Sequence, residues 1–489
     1  MLTLLLLIPV LGAFVVASLP DRRMQLAHEV ALAASLAAFA YALLLLAGFD
    51  GRQAGIQYAE SYTWNPRLGA RFSFGVDGLS ILMLPLATLL SLVAVLASLG
   101  QREGVRLYYA LLLVLESAVI GVFVARDWSL FYVFWELTLI PLFFLIDRLG
   151  GANRHRAALN FVLYTMGGSV FMLIALLLLY DASPAHSFDM AAITEGARNI
   201  PAATQHWILV GLLIGFGVKL PVFPLHGWLP LAHVEAPSPV SILLSGVLLK
   251  MGAYGLLRAA ETLPAAFAGI AGALAALGLV NLIYGGVLAW RQRDLKRMVA
   301  YSSISHMGVV LFGLATLQVA GITGAVVQML AHGLVAGALF LLVGQLYGRT
   351  HTRDLAAYGN LSGSHPRFAF FIAIACLGAI GVPGTFGFVA EVHALVGGWQ
   401  AWAWGAVPLL LSVLVGAAYG LRTLARFVTG APATAGTVTS TFADLSRAET
   451  LAAALLCSGI VVFGFLPGPL LALIEPSVRA LGALFGPLP

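Results

Sequence analysis

Long apolar runs follow one another along nearly the whole chain, separated by short polar turns. Fourteen of them begin near residues 2, 26, 77, 107, 128, 157, 207, 237, 265, 296, 322, 368, 403 and 450. Each approaches the roughly 20 apolar residues that cross a hydrocarbon core. The pattern predicts an all-α polytopic membrane protein of about 14 transmembrane helices. Two runs are interrupted: Pro221 and Pro224 close the run 207–220, and Gly381-Val382-Pro383-Gly384 splits the twelfth. Proline removes a backbone donor, so these runs read as two discontinuous helices of the kind that lines a midplane site. The first run, 1–19, has no basic leader and reads as an uncleaved span. The longest polar stretches are 48–75, 181–205 and 430–449, and the last, rich in Ala, Thr and Gly, reads as a mobile surface loop.

A weak internal repeat runs through this pattern. Ala253-Tyr254-Gly255-Leu256-Leu257-Arg258 recurs as Ala418-Tyr419-Gly420-Leu421-Arg422, an offset of 418 − 253 = 165. Glu136 and His306 are offset by 306 − 136 = 170, and Lys219 and Glu391 by 391 − 219 = 172. A near-constant offset with odd helix parity predicts two inverted five-helix repeats. The expected divisions are 1–106 for the first three spans, 107–262 and 263–428 for the repeats, and 429–489 for a loop and a last span.

Composition supports a membrane location. The chain of 489 residues is 60% hydrophobic and only 10% charged, against about a quarter charged in soluble domains. With the amino terminus outside, seventeen of the 26 Lys and Arg fall in inside loops, among them Arg22, Arg23, Arg291, Arg293, Lys296 and Arg297. Seven fall outside: Arg52, Arg67, Arg71, Arg126, Arg198, Arg258 and Arg479. The excess obeys the positive-inside rule and places both termini on the external side. Basic clusters of this length are loop anchors facing anionic lipid, so no nucleic-acid partner is expected. Cys376 and Cys457 each stand alone in an apolar run, so neither a disulfide, a zinc site nor an iron–sulfur cluster is expected. The chain contains no phosphate-binding glycine loop and no nucleophile elbow.

Candidate chemistry lies where charge enters the apolar runs. Lys219 precedes the two prolines, Lys250 lies in the next run, and Glu136 sits in Phe134-Trp135-Glu136-Leu137. Ionisable groups at such depths mark ion or proton paths. The end of a half-helix at Leu220 would favour an ammonium at Lys219 while desolvation opposes it, leaving a group that can gain and lose a proton. Lys219 is the natural partner of Glu136, and opening or closing that pair would act as a switch. His306 and His332 occupy later runs and can relay protons as neutral imidazoles. Glu391 follows the second break and would be the terminal carboxylate. Glu116 is a second candidate for the surroundings of Glu136. His226, His233 and Glu235 read as loop or gate residues, since their spacing matches no metal motif. These residues by themselves indicate a proton or cation transporter.

Several longer strings carry a resemblance. Val218-Lys219-Leu220-Pro221, then Phe223-Pro224-Leu225-His226-Gly227-Trp228-Leu229-Pro230 and Ala232-His233-Val234-Glu235-Ala236-Pro237-Ser238, are joined by Tyr301-Ser302-Ser303-Ile304-Ser305-His306-Met307-Gly308 and Gly381-Val382-Pro383-Gly384. From about residue 70 to 430 the chain resembles the antiporter-like membrane subunits of respiratory complex I. Trp135-Glu136-Leu137-Thr138-Leu139-Ile140-Pro141, and an acidic residue at 391 where sister chains usually carry lysine, resemble the M branch of bacterial NADH-quinone oxidoreductase. The chain also stops after its fourteenth run, without the long lateral helix of the L branch. Leu231 departs from the pattern, in which an acidic residue is common.

The resemblance implies a multi-pass subunit of a bacterial inner membrane, with one proton path through Glu136, Lys219, Lys250, His306, His332 and Glu391. It implies no cofactor in this chain, with FMN, iron–sulfur clusters and quinone held by partner subunits, and sister antiporter-like subunits beside it. The alternatives are a subunit of a multi-chain Na⁺/H⁺ antiporter or of a membrane-bound hydrogenase complex.

Overall fold

The computed structural model describes every residue except 21, 67–68, 185, 431–441 and 487–489. Most of the stretch expected as a mobile loop, and Arg67 of the charge count, lie outside the described residues. Eleven helical runs among those described are long and apolar enough to cross a membrane. Three shorter apolar helices accompany them: Leu2–Ser18 (α1), Met83–Leu96 (α3) and Pro366–Ile380.

After α1 the chain returns through Met24–Ala47 (α2) and then forms an antiparallel hairpin of Gln57–Asn65 (β1) and Ala70–Val76 (β2), paired Glu60 to Phe74 and Tyr62 to Phe72. This hairpin takes up the polar stretch 48–75. Its inner strand buries Phe74 and Val76, and Trp64 meets Phe72 at 5.2 Å between ring centroids. The period-two alternation of aromatic and polar residues is the strand signal. The hairpin marks one face of the protein; the arginine-rich loops mark the other.

Helices α3 and Val105–Val124 (α4) lead to a run broken into Trp128–Leu137 (α5) and Leu139–Leu149 (α6). Arg154–Ala182 (α7) and the short Met190–Gly196 (α8) precede Ala202–Lys219 (α9), Trp228–Glu235 (α10) and the continuous run Ser238–Leu243 (α11) to Leu249–Thr262 (α12). The second half comprises Pro264–Gly269 (α13), Ala271–Arg291 (α14), Leu295–Ala315 (α15) and Val319–Thr350 (α16). Leu361–Ser364 (α17), Pro366–Ile380 (α18), Phe386–Trp402 (α19) and Leu411–Val428 (α20) follow. The last expected span divides at Leu466 and Pro467 into Arg447–Phe465 (α21) and Gly468–Ala483 (α22), because Pro467 and Pro469 cannot continue a helix. Helix α22 packs back on the hairpin face, where Ser477 Oγ accepts from Gly78 N at 2.9 Å.

One local device occurs twice. Trp128 N donates to Phe188 O and Met190 N to Arg126 O, at 2.8 and 3.0 Å; Leu295 N donates to Arg353 O and Leu355 N to Arg293 O, both at 2.9 Å. The bridged aspartates are Asp127 with Asp189 and Asp294 with Asp354, offset by 294 − 127 = 167 and 354 − 189 = 165. Each of the four caps the helical turn that follows it through its own carboxylate. The first bridge lies on the hairpin face and the second on the arginine-rich face.

Two arginines assigned to outside loops by charge counting are buried instead. Arg258 is 1% exposed within α12, and Arg126 is 6% exposed at the α4–α5 junction. Asp77, at the head of α3, holds both: Arg258 Nη2 at 2.7 Å and Arg126 Nη1 at 3.5 Å. Arg258 also pairs with Glu261 at 2.8 Å and donates to Tyr254 Oη at 3.0 Å. Removing one side of such a network strands the other charge, at about 3–5 kcal/mol. Arg258→Met is therefore expected to lower the thermal midpoint of the purified protein sharply, and Arg258→Met with Asp77→Leu to recover part of it. An unchanged midpoint in the single variant would show the network to be without structural weight.

Candidate proton-transfer site

The site grows from defects in its helices. Pro141 has no N–H to offer residue 137, so the α5–α6 run breaks at Thr138. At this break Trp135 O accepts from Thr138 Oγ at 2.7 Å and from Lys219 Nζ at 3.1 Å. Lys219 Nζ also donates to Thr138 Oγ at 2.8 Å and lies 4.2 Å from the centre of the Trp135 ring. Lys219 is the last residue of α9, at the negative end of that helix dipole. The unwound segment beyond it is clasped by Asn281 of α14, whose side chain donates to Pro221 O at 3.1 Å and accepts from Phe223 N at 2.6 Å. Trp228 Nε1 closes the turn on Val218 O at 2.9 Å.

Glu136 does not pair directly with Lys219. No nitrogen–oxygen distance between them is within 4.0 Å, and Lys219 instead binds Trp135 O and Thr138 Oγ at the same helical break. The carboxyl of Glu136 faces a cleft of about 600 Å³ between α5, α6 and α7, lined by Tyr132, Phe143, Phe144, Val162 and Met166. Its Oε1 is buried without a hydrogen-bond partner. Glu116 lies apart from this pair: it faces α2, accepting from Ser35 Oγ at 3.1 Å.

Lys250 has a defect of its own. Between α11 and α12, residues Leu244–Leu248 form a π-helical turn. Such turns concentrate at functional sites because they free backbone groups. Here the Ser245 carbonyl accepts from Lys250 Nζ at 2.7 Å, and Nζ lies 2.6 Å from His332 Nδ1. Lys250 is completely buried. The close seat of α12 on α9 requires glycine: a Cβ at Gly252 would stand 2.7 Å from both Leu220 N and Phe216 O. Lys219 and Lys250 thus approach from opposite sides of one tight helix crossing.

From Lys250 a line of polar side chains enters the second half. The rings of His332 and His306 are 5.3 Å apart. His306 Nδ1 is 3.2 Å from Gln328 Nε2, and its Nε2 is 3.1 Å from Tyr419 Oη. Tyr419 Oη reaches the carbonyl of Ala379, near the end of α18, at 3.4 Å. At that second break Gly381 (φ +75°) passes so close to Glu391 that a Cβ there would meet its Oε2 at 2.6 Å. Glu391 Oε2 and His332 Nε2 have no hydrogen-bond partner. Buried polar atoms are nearly always satisfied, so these open positions suit bridging water.

Of the residues singled out from the sequence, Lys250, His306 and His332 are brought into direct sequence-to-space proximity. Lys219 and Glu136 sit at one end of the line and Glu391 at the other. His233, expected in a turn, is instead buried on α10 with its ring flat against Phe340 at 4.5 Å. Glu235 ends that helix and accepts from Asn153 N at 2.9 Å, and His226 stacks on Phe223. Lys296, counted in an inside loop, is buried and donates to Ala236 O at 2.8 Å. Thr138, Asn281, Gln328 and Tyr419 escaped sequence reasoning as site residues. Tyr419 lies in the very string that marks the repeat.

A family description, NADH:quinone oxidoreductase/Mrp antiporter, transmembrane, matches residues 125–416. That segment holds both broken helices and all six candidate residues. The chain belongs to this family. It is 41% identical over 476 residues to NAD(P)H-quinone oxidoreductase chain 4 2 of Thermosynechococcus vestitus, spanning 95% of this chain and 89% of that one. It is 38% identical over 457 residues to NADH-quinone oxidoreductase subunit M of Rickettsia felis, spanning 92% and 91%. A chain of the respiratory complex I structure from Thermus thermophilus superposes with a TM-score of 0.91 at 31% identity, spanning 99% of this chain and 100% of that chain.

Proposed function

We propose that this protein is a proton-translocating subunit in the membrane arm of an NADH:quinone oxidoreductase. The observation that carries the reading is the buried line Lys250–His332–His306–Tyr419, hydrogen-bonded at Lys250–His332 and His306–Tyr419 with the two imidazole rings 5.3 Å apart, between two helical breaks that hold Lys219 and Glu391. Redox energy released in partner subunits changes the Glu136–Lys219 separation. At an effective dielectric near 20, moving opposite charges from about 5 to about 10 Å costs roughly 1.7 kcal/mol, enough to shift a proton-transfer equilibrium more than tenfold. The proton passes across the α9–α12 crossing to Lys250, then through the imidazoles to Glu391. Each charge carried outward works against about 2.3 kcal/mol per 100 mV.

The twin bridges at Asp127–Asp189 and Asp294–Asp354, on opposite faces, support two inverted five-helix repeats bracketing this path. The excess of basic residues in one set of loops supports a bacterial inner-membrane orientation with both termini external. FMN, iron–sulfur clusters and quinone belong to partner subunits, and sister antiporter-like chains flank this one.

The family description also names Mrp antiporters, and a multi-chain Na⁺/H⁺ antiporter would use the same buried groups without a redox partner. Affinity purification of the tagged chain from native membranes separates the two. NADH dehydrogenase activity and iron–sulfur absorbance are expected to follow the tag through size exclusion. A pure membrane complex lacking both would favour the antiporter.

A further inference from the structure

We propose that water reaches the Lys250–His332 pair from a vestibule on the arginine-rich face, and that Leu90 of α3 is the gate that closes this inlet. The inference rests on the proton-relay reading of that pair and assigns its supply route.

The vestibule is a cavity of about 420 Å³ among the ends of α3, α11, α16 and α21. That is room for about a dozen waters at roughly 30 Å³ each. Its rim is polar, with Ser238, Gln345, Ser446 and the Arg349–Glu449 ion pair at 2.6 Å. Arg349 also donates to Ala443 O and Gln345 O, at 2.9 and 3.0 Å, so the rim is held open by a fully engaged side chain. The floor is Ile242 and Leu341. One helical turn below Ile242 lie Ser245 and Gly246; below Leu341 lie Gly337, Gly333 and His332.

Between floor and relay the seam is made of glycine backbone and plugged by leucine. An added Cβ at Gly246 would stand 2.5 Å from Leu90 Cδ1, and one at Gly337 would stand 2.7 Å from Leu90 Cδ2. At Gly333 it would stand 2.8 Å from Leu86 Cδ2. Gly246 and Gly333 also turn their carbonyls on one another, each O within 3.4 Å of the Cβ position opposite. The notch that Leu90 fills is walled by Gly246 and Gly337, with Leu456 and Ile242 also facing Gly337, and Gly246 follows directly on Ser245, whose carbonyl holds Lys250. With the isobutyl group in place, the space beside Gly246 and Gly337 is filled. With it rotated away, the vacated volume exceeds the roughly 10–15 Å³ a water needs, and the Gly246 and Gly333 carbonyls lie at the same seam.

The test reads water access, not pumping. In the assembled complex, in vesicles of known orientation, the two buried native cysteines are replaced by alanine and single cysteines introduced by Ser238→Cys or Ser245→Cys. Silver ion is applied from the arginine-rich side, and free thiol is counted after quenching. The Ser238→Cys thiol is expected to be lost rapidly whatever residue 90 is. The Ser245→Cys thiol is expected to be protected when Leu90 is present, and to react at least an order of magnitude faster in Leu90→Ala. Should Leu90→Ala fail to assemble, Leu90→Val gives the same comparison with a smaller acceleration. A slow Ser238→Cys thiol would overturn the vestibule. Equal protection of Ser245→Cys in both backgrounds, or reaction only from the hairpin face, would overturn the gate. Labelling does not depend on NADH, so a chain from a redox-free antiporter would still give the expected pattern, and the two readings fail separately.

Discussion

Lys219→Met is expected to leave the complex assembled but to lower NADH-driven proton output by about 10²-fold, the low end of what one positioned proton-transfer group contributes. Methionine retains the length and volume of the side chain, so the packing against Trp135 and the α9 terminus survives. What is lost is the charge that Trp135 O, Thr138 Oγ and the helix dipole have been arranged to receive. Glu136→Gln is expected to give a loss of the same order if the proposed switch needs both partners. The double variant is scarcely worse than either single one, since the two groups work as one unit. Proton-to-electron stoichiometry in reconstituted vesicles, alongside a native gel for assembly, measures this. Normal stoichiometry at full turnover in either variant would reduce Lys219 to a packing residue.

The second large effect concerns Lys250. Lys250→Met removes the donor to both Ser245 O and His332 and is expected to abolish coupled turnover to a similar degree. The informative variant is Lys250→Arg. A guanidinium supplies the same charge and can reach the same carbonyl, but it does not surrender its proton under physiological conditions. If Lys250 were an electrostatic prop, arginine would restore function. As a station that must load and unload, it is expected to remain inactive with arginine in place. Recovery of more than half the wild-type stoichiometry in Lys250→Arg would refute proton transfer at this position.

The sequence revealed depth far better than direction. Apolar runs located the spanning segments, and Pro221, Pro224 and Pro383 marked both breaks because proline acts locally, on its own backbone. Lys219, Lys250 and Glu391 could be placed among lipid-embedded helices on composition alone. Direction was another matter. Helix α16 is buried along the entire length of its spanning window, so it has no polar face from which its orientation could be read. Nothing in Ala331-His332-Gly333 says that the imidazole meets Lys250 on a different helix. The π-turn at Leu244–Leu248 was invisible for the same reason: it depends on how α11 and α12 are gripped by α3 and α16 rather than on local propensity. The hairpin was legible in principle, since Tyr58, Tyr62, Trp64, Phe72 and Phe74 recur with strand periodicity. Its polar neighbours mask it among the apolar runs that dominate the chain. The hydrogen bonds of Lys219 to Trp135 O and Thr138 Oγ were not legible, because opposite charge points to Glu136 while which backbone groups a helical break presents to a neighbouring helix depends on packing.

Asn281 gives this architecture a mechanical property. A single amide, rooted in the straight helix that opens the second half, grips both sides of the peptide kink in the first. Movement of that kink cannot stay where it begins: it must either pull α14 along or break the two hydrogen bonds that the buried Asn281 makes. The halves are geared rather than merely adjacent, and a displacement at the lysine on one side arrives as a displacement of the helix floor on the other.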